Sequence, residues 1–518
     1  MSNSNVALRG ALSVAVVSAQ LVLGSTGFGG QRPRAHKRAG AGSDTAPRLG
    51  LRQGERRDRP EAESALEPPP VGDQIVWWAL PRTPRLPVKV RATRSHSAAA
   101  LGEARGLTAI QVQAAAQPGA KGGCREWLPA VPAGYVCKSD VALQLGYASA
   151  PPAQESALGW QRYRYGVVTA QTASLAGDPG GYLRTTLHHG DGVTIVREVN
   201  GRVQLIGKTW LPRKDIELAT PSALAPISLD ALPAGARPAW VVPASGESHA
   251  PLYAPAATSA AEATGMAAAL LPRYSLVYVS DTPASPGRVA VQLAEETRAA
   301  LTTHKDPRDI KDAQEMLAGR VLELDAAVLR RFIPATPPKE IGPEERWVDI
   351  SLTEQVATAY VGRTPLFAAL VSTGKGNLTP PGSFFIYRKY LTQTMANQRG
   401  AAAQYDFRQV PHAQFFNGRI GLHAVLWHDS LGEPVSHGCV NLSPAAAAQF
   451  FAFSGPALPP GWHSVTAAAP PGPAEASGSA AAEVSAAAGD LPAAAEVRSA
   501  PVDKSAVALL GTRVIVHR

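Results

Sequence analysis

Hydrophobic and polar positions alternate over short distances through most of this chain, and few stretches carry a long helical face. Between 163 and 212 four such runs follow one another: Tyr163-Arg-Tyr-Gly-Val-Val-Thr, Gly192-Val-Thr-Ile-Val-Arg, Val203-Gln-Leu-Ile-Gly and Lys208-Thr-Trp-Leu-Pro. Turn signals at 177–181, 190–192 and Asn200-Gly201 separate them, and Asn-Gly is a strong short-range hairpin signal. The pattern predicts a small SH3-like β module over 119–220. Residues 221–340 read as a second accessory module or linker, with a strand at Ser275-Leu-Val-Tyr-Val-Ser and helical spacing over 289–302 and 310–331. From Glu345 the strands resume. Trp347-Val-Asp-Ile-Ser-Leu and Val356-Ala-Thr-Ala-Tyr alternate, whereas Leu366-Phe-Ala-Ala-Leu-Val-Ser is continuously apolar, as in a strand buried on both faces. Residues 466–505 are Ala-rich and of low complexity, and Gly511-Thr-Arg-Val-Ile-Val-His-Arg reads as a last strand returning to complete the sheet. The fold class expected is mainly β.

Composition sharpens this at the N-terminal end. Gly and Pro number 47 and 45 in 518 residues, an excess that favours turns and linkers over helical bundles. Residues 28–118 read as a Pro/Arg-rich linker with one apolar island, Ile75-Val-Trp-Trp-Ala-Leu80. Of the net charge of +9, residues 31–60 hold nine Lys/Arg against three acids, a local +6. This run lacks interleaved aromatics, so nucleic-acid binding is not expected. A solvated spacer fits it, and an anionic envelope polymer or lipid headgroup would suit it equally. Before it, Arg9 precedes a 13-residue apolar core, Ala11–Leu23, and then small residues. That is the layout of a secretory signal, and residues 1–27 are read as a signal peptide or an N-terminal anchor that tethers the chain to a membrane.

Export makes the three cysteines informative. Cys124 and Cys137 bracket twelve residues with a Pro-rich turn, a loop whose closure by a disulfide contributes about 2–3 kcal/mol. Cys439 is left over, and an odd thiol in an oxidising compartment points to reactivity.

Around it lies the densest chemistry in the chain. Ile420 to Ser443 carries His423, His428 and His437 besides Cys439, with His412 shortly before. Three chemistries fit. Zinc held by His423, His428, His437 and Cys439 would lack the usual C-x-x-C or H-E-x-x-H spacing. An inert buried thiol among unrelated histidines is the plainest alternative. A Cys–His nucleophile is the third, in which an imidazole takes the thiol proton and Gly438 lets the backbone approach a substrate and offer amides to an oxyanion.

Ser436-His-Gly-Cys-Val-Asn441, with His423 sixteen residues before the Cys, resembles the signature of the L,D-transpeptidase catalytic domain (YkuD-type). Thr379-Pro-Pro-Gly-Ser-Phe384 resembles that family's Thr-Pro-x-Gly-x-Phe turn, and Phe415-Phe-Asn-Gly-Arg-Ile-Gly-Leu-His423 its strand into the His. The resemblance covers 345–465 plus 511–518. It implies a β-sandwich peptidoglycan enzyme that attacks a tetrapeptide stem, releases D-Ala and passes the acyl group to the side-chain amine of a second stem, giving a 3→3 cross-link. It implies no cofactor and no metal. By position Cys439 would be the nucleophile and His423 the base and acid, oriented by the carbonyl of Ala424. His437 and Gly438 would shape the oxyanion site, Ser436 and Asn441 the local hydrogen bonding, and Tyr405 and Trp427 the pocket wall. Asn441 stands where many members have Arg, and Ala424 where Gly or Ser is frequent. The same thioenzyme resolved by water would be an L,D-carboxypeptidase, or it would link or cleave wall proteins. A non-catalytic wall-binding protein is the alternative from another class. The implied location is the periplasm or cell envelope; the oligomeric state is not legible.

Overall fold

The computed structural model describes residues 75–83, 86–106, 108–119, 123–147, 163–174, 186–206, 209–233, 235–254, 269–302, 321–396, 405–467 and 510–518. They are mainly β, as the alternation predicts. The expected signal or anchor at 1–27 and all but the first two residues of the Ala-rich insert at 466–505 lie outside the described residues.

Three small β modules precede the C-terminal domain, and they share one plan. A first strand leads into a hairpin, then further strands (four in the first module, three in each of the others) and a 3-10 turn, after which a last strand pairs antiparallel with the first. In the first module Ile75–Pro81 pairs with Val141–Tyr147 after the turn Lys138–Asp140. In the second, Arg164–Val168 pairs with Ile216–Leu218 after Arg213–Asp215. In the third, Pro238–Val241 pairs with Leu329–Arg331 after Ala326–Val328. The hairpins are Val88–Arg91 with Ala100–Ala104, Thr172–Ser174 with Thr186–His188, and His249–Leu252 with Ala269–Pro272.

This corrects the expected boundaries. Residues 75–118 are not linker: Trp78, Val90 and Ile110 are completely buried, and Trp77 lies opposite Leu145, a partner too distant in sequence for local pattern to reveal. The remainder of the linker, 28–74, lies outside the described residues. The stretch expected as one module at 119–220 is in fact the end of the first module, up to Tyr147, and the whole of the second, from 163. Cys124 and Cys137 are disulfide-bonded and pack with Trp127 in the first module. In the third module, helical spacing misled. Residues 288–293 form a strand, because Val289-Ala-Val-Gln-Leu293 also alternates, and only Glu295–Thr302 is helical. The described part of 310–331 is strand, 3-10 turn and strand.

The C-terminal domain comprises β1 (Arg346–Ser351), β2 (Val356–Val361), β3 (Thr364–Ser372), β4 (Gly382–Phe385), β5 (Arg388–Ala396), β6 (Asp406–Asn417), β7 (Ile420–Ala424), β8 (Val440–Leu442), α1 (Pro444–Phe453), β9 (Ser464–Thr466) and β10 (Arg513–His517). Its ladder runs β4-β10-β1-β2-β3-β8-β7-β6-β5-β9. The ladder doubles over, so that Val348, Ala357 and Val514 share one core with Phe416, Leu422 and Val440, closed by Phe450 of α1. Ser443 caps α1, its hydroxyl accepting the Ala446 N–H, with Pro444 at the first turn where a missing N–H is harmless. β3 is buried from Phe367 to Ser372, as its unbroken apolar run predicts.

All three modules are fastened to this domain. The first continues its ladder, Gly102 and Glu103 pairing with Val465 and Ser464 of β9. The second bridges Gly192 to Tyr405. The third grips the loop between β7 and β8, where the Tyr274 hydroxyl donates to Asp429 O and accepts from Leu431 N–H, and Arg330 donates to Gly432 O.

Candidate active site

The parallel pairing of β7 and β8 brings the two groups of interest together. Its register sets His423 opposite Asn441 and Leu422 opposite Val440, with Cys439 immediately before β8. The His423 side chain is buried, and its Nδ1 lies 2.9 Å from the Ala424 carbonyl. A carbonyl only accepts, so Nδ1 carries the proton and Nε2 is left as a lone-pair acceptor. The Cys439 thiol donates to the Arg419 carbonyl at 3.5 Å. Cys439 is not bridged, and both side chains line one cavity of about 670 Å³.

The turn before Cys439 is held from two sides. The Ser436 hydroxyl donates to Cys439 O at 2.5 Å and accepts the Gly438 N–H at 3.0 Å. Thr379 of the Thr-Pro-Pro-Gly turn donates to Gly438 O at 2.7 Å and accepts the Gly374 N–H at 2.8 Å. Gly438 has φ +127°, a backbone that disfavours any side chain, and a Cβ there would meet Leu378 O at 3.0 Å. One expectation changes in consequence. The Gly438 N–H is engaged by Ser436, so it is not the free amide donor that the sequence reading allowed; its conformation is what sets the backbone of Cys439.

Aromatic rings wall the cavity. Trp427 stacks on Phe407 with centroids 4.0 Å apart, Phe407 on Tyr405 at 5.6 Å, and Tyr405 lies 5.6 Å from His437. Trp427 also approaches the His423 ring at 5.9 Å. Tyr405, Trp427, Ser436, His437 and Asn441 therefore all reach the cavity. His428 reaches it too, with Nδ1 accepting the Ser430 N–H at 3.1 Å and Nε2 3.0 Å from the Asn441 amide. His412 does not: it packs 5.3 Å from Phe451 behind β6. Among the described residues no group of three or more His, Cys, Asp or Glu is arranged to hold a metal ion.

Among the wall residues that sequence reasoning missed are Arg419, Phe407, and Val167, Gly190 and Gly192 of the second module. The Asn417-Gly418 turn flags Arg419 as a hairpin tip facing the thiol. Nothing local to 163–192 signals a cavity.

Electrostatics leaves the pair uncharged at neutral pH. Burial pushes the His423 imidazole down to about 4, opposed by its hydrogen bond to Ala424. Burial likewise pushes the Cys439 thiol up, opposed by the Gly421 N–H and the Arg419 charge. A neutral thiol and a neutral imidazole, the latter with an acceptor nitrogen left by its hydrogen bond to Ala424, line one cavity, chemistry suited to proton transfer coupled to sulfur attack rather than to a standing ion pair.

No curated protein matches the chain. Among solved structures it is similar to an L,D-transpeptidase from Mycobacterium smegmatis (19% identity, 47% of this chain and 99% of that one, TM-score 0.22). It is also similar to L,D-transpeptidase 3 from Mycobacterium tuberculosis in complex with a faropenem-derived adduct (18% identity, 37% and 90%, TM-score 0.20) and to the catalytic domain of the E. faecium L,D-transpeptidase (22% identity, 21% and 88%, TM-score 0.19). Residues 345–516, the segment that carries the Cys439 thiol, the His423 imidazole and the turn that joins them, match the model of the YkuD family, the L,D-transpeptidase catalytic domain.

Proposed function

We propose that this chain is an exported peptidoglycan L,D-transpeptidase that forms 3→3 cross-links through an acyl-thioenzyme on Cys439, acting in the periplasm or cell envelope. The observation that supports it most is the fixed tautomer of His423: with Nδ1 held by the Ala424 carbonyl in a residue that lines the cavity, Nε2 is left as the basic nitrogen. In acylation His423 Nε2 takes the Cys439 proton as the sulfur bonds to the carbonyl carbon of the third stem residue. The resulting oxyanion is met by the Cys439 amide. The imidazolium then returns its proton to the departing amine, the C–N bond breaks, and D-Ala leaves. In the second half the side-chain amine of another stem attacks the thioester, His423 accepts its proton, and the thiol departs carrying it. Aromatic walls around the thioester limit water, so aminolysis outruns hydrolysis.

The test uses the full chain with disaccharide-tetrapeptide, beside Cys439→Ala, read by mass spectrometry. A cross-linked dimer with loss of D-Ala, together with an acyl adduct on Cys439, both absent in the variant, is the expected result. Tripeptide without dimer would replace the transpeptidase with the carboxypeptidase. No adduct on Cys439 would overturn the enzyme reading and leave a wall-binding protein.

A further inference from the structure

The second module touches the cavity itself. Gly192 opens the strand Gly192–Val199 and forms a β-bridge with Tyr405, where β6 begins. It sits so close to Phe407 that a Cβ on it would lie 2.1 Å from the ring's Cζ. Phe407 is stacked on Trp427, and Trp427 faces His423. A series of direct contacts therefore runs from the backbone of the accessory module to the imidazole. Hydrogen bonds fix the same joint. The Thr194 hydroxyl accepts the Arg408 N–H at 2.9 Å and lies 3.4 Å from Asp406 O, and the buried Tyr165 hydroxyl donates to Arg408 O at 2.8 Å. Val167 and Gly190 complete this side of the cavity.

We propose that the module at 163–218 is a built-in wall of the substrate cleft, with Gly192 and Thr194 as positioning residues that hold the start of β6, and with it Tyr405 and Phe407, in place for a peptidoglycan stem peptide. This rests on the transpeptidase reading of the cleft. The module is joined to the start of β6 by the Gly192–Tyr405 bridge and the Thr194 and Tyr165 hydrogen bonds, which leaves that wall little freedom of its own. The ordering cost of the hairpin is met at folding rather than at binding.

The experiment compares full-length wild type with Gly192→Ala, Thr194→Val and Thr194→Ser. Three quantities are read: KM and kcat for the tetrapeptide donor, the rate of Cys439 alkylation by iodoacetamide, and hydrogen exchange of the β6 amides. The expected result for Gly192→Ala and Thr194→Val is a KM raised about tenfold or more, faster exchange at Arg408, and alkylation within about twofold of wild type, the range of a surface change. Thr194→Ser, which keeps the hydroxyl, restores KM. Should Gly192→Ala fail to fold, the Thr194 pair decides. Folded variants with unchanged KM and unchanged exchange would overturn the proposal and make the module a spacer. If wild type itself forms no acyl-enzyme, the transpeptidase reading fails, whereas the exchange measurement still decides whether the module holds the hairpin.

Discussion

Thr379 and Gly438 stand 59 residues apart and are joined by one hydrogen bond, from the threonine hydroxyl to the glycine carbonyl at 2.7 Å. The same hydroxyl accepts the Gly374 N–H, so one buried oxygen links the Thr-Pro-Pro-Gly turn, the end of β3 and the turn that carries Cys439. Thr379→Val removes it and leaves a buried carbonyl and a buried N–H without partners, at about 1–3 kcal/mol. We expect a lower melting temperature and kcat reduced about ten- to hundredfold through displacement of the Cys439 backbone, with Thr379→Ser recovering most of both. Steady-state kinetics beside thermal unfolding checks this; a folded Thr379→Val with wild-type kcat would contradict it.

Acid tolerance follows from the burial of His423. Its imidazole is pushed down to about 4, so the base form persists through the mildly acidic range in which an exposed histidine would already be protonated. The acid limb of kcat/KM is expected near 4. Because the Cys439 thiol is pushed up, its alkylation by iodoacetamide should still be rising with pH beyond the ordinary thiol range. A plateau of alkylation from pH 6 upward would instead indicate a standing thiolate–imidazolium pair.

The link between β10 and β1 is pH-sensitive in the opposite sense. His517 lies 3.1 Å from the buried carboxylate of Asp349 and is raised to about 8, mainly by that hydrogen bond. Its folded value exceeds its unfolded one near 6.5, so the stability it contributes is fully present below about 6.5 and is lost as pH rises through about 8. Wild type should lose melting temperature across that window, and His517→Phe should show a flatter profile. Thermal unfolding from pH 6 to 9 reads it directly.

Tyr274 reaches from the third module to the loop between His423 and Cys439. Its hydroxyl joins Asp429 O at 2.8 Å and Leu431 N–H at 3.1 Å. Tyr274→Phe keeps the ring beside Arg273 and deletes both bonds, at about 1 kcal/mol for each in a partly exposed setting. Hydrogen exchange at 429–433 should accelerate while exchange in β7 stays slow; equal acceleration in both would mean that the loop is not a separate unit.

The mainly β class was legible in the alternation along the chain, whereas the joints between distant segments were not. His423 and Ser436-His-Gly-Cys439 are close in sequence, and it was their resemblance to a family signature, not their spacing alone, that singled them out as a candidate pair. The Thr379 turn was visible as a motif, but its bond to Gly438 was not, because nothing local relates residues 59 apart. The first module was hidden for the same reason: its opening strand is Pro-flanked, its partner is Val141–Tyr147, and a basic run precedes it. A faint repeat did exist. Val136-Cys-Lys-Ser-Asp-Val141 and Leu211-Pro-Arg-Lys-Asp-Ile216 both surround the 3-10 turn before the closing strand. Unequal hairpins upstream disguise the period, and Ala326-Ala-Val328 carries none of the charges. The second module's place in the cavity depends on Gly192, where the informative feature is a missing side chain.

β10 runs parallel to β1 on one edge and antiparallel to β4 on the other, so it is an interior strand supplied by residues 513–517. During synthesis, everything from Arg346 to Thr466 emerges before that strand exists. Until it arrives β1 and β4 have bare edges, and the core around Val514 and Val516 is open to water. Assembly of the domain therefore waits on residues 513–517, and a chain cut ahead of Arg513 would keep Cys439 but lack the strand that joins β1 to β4.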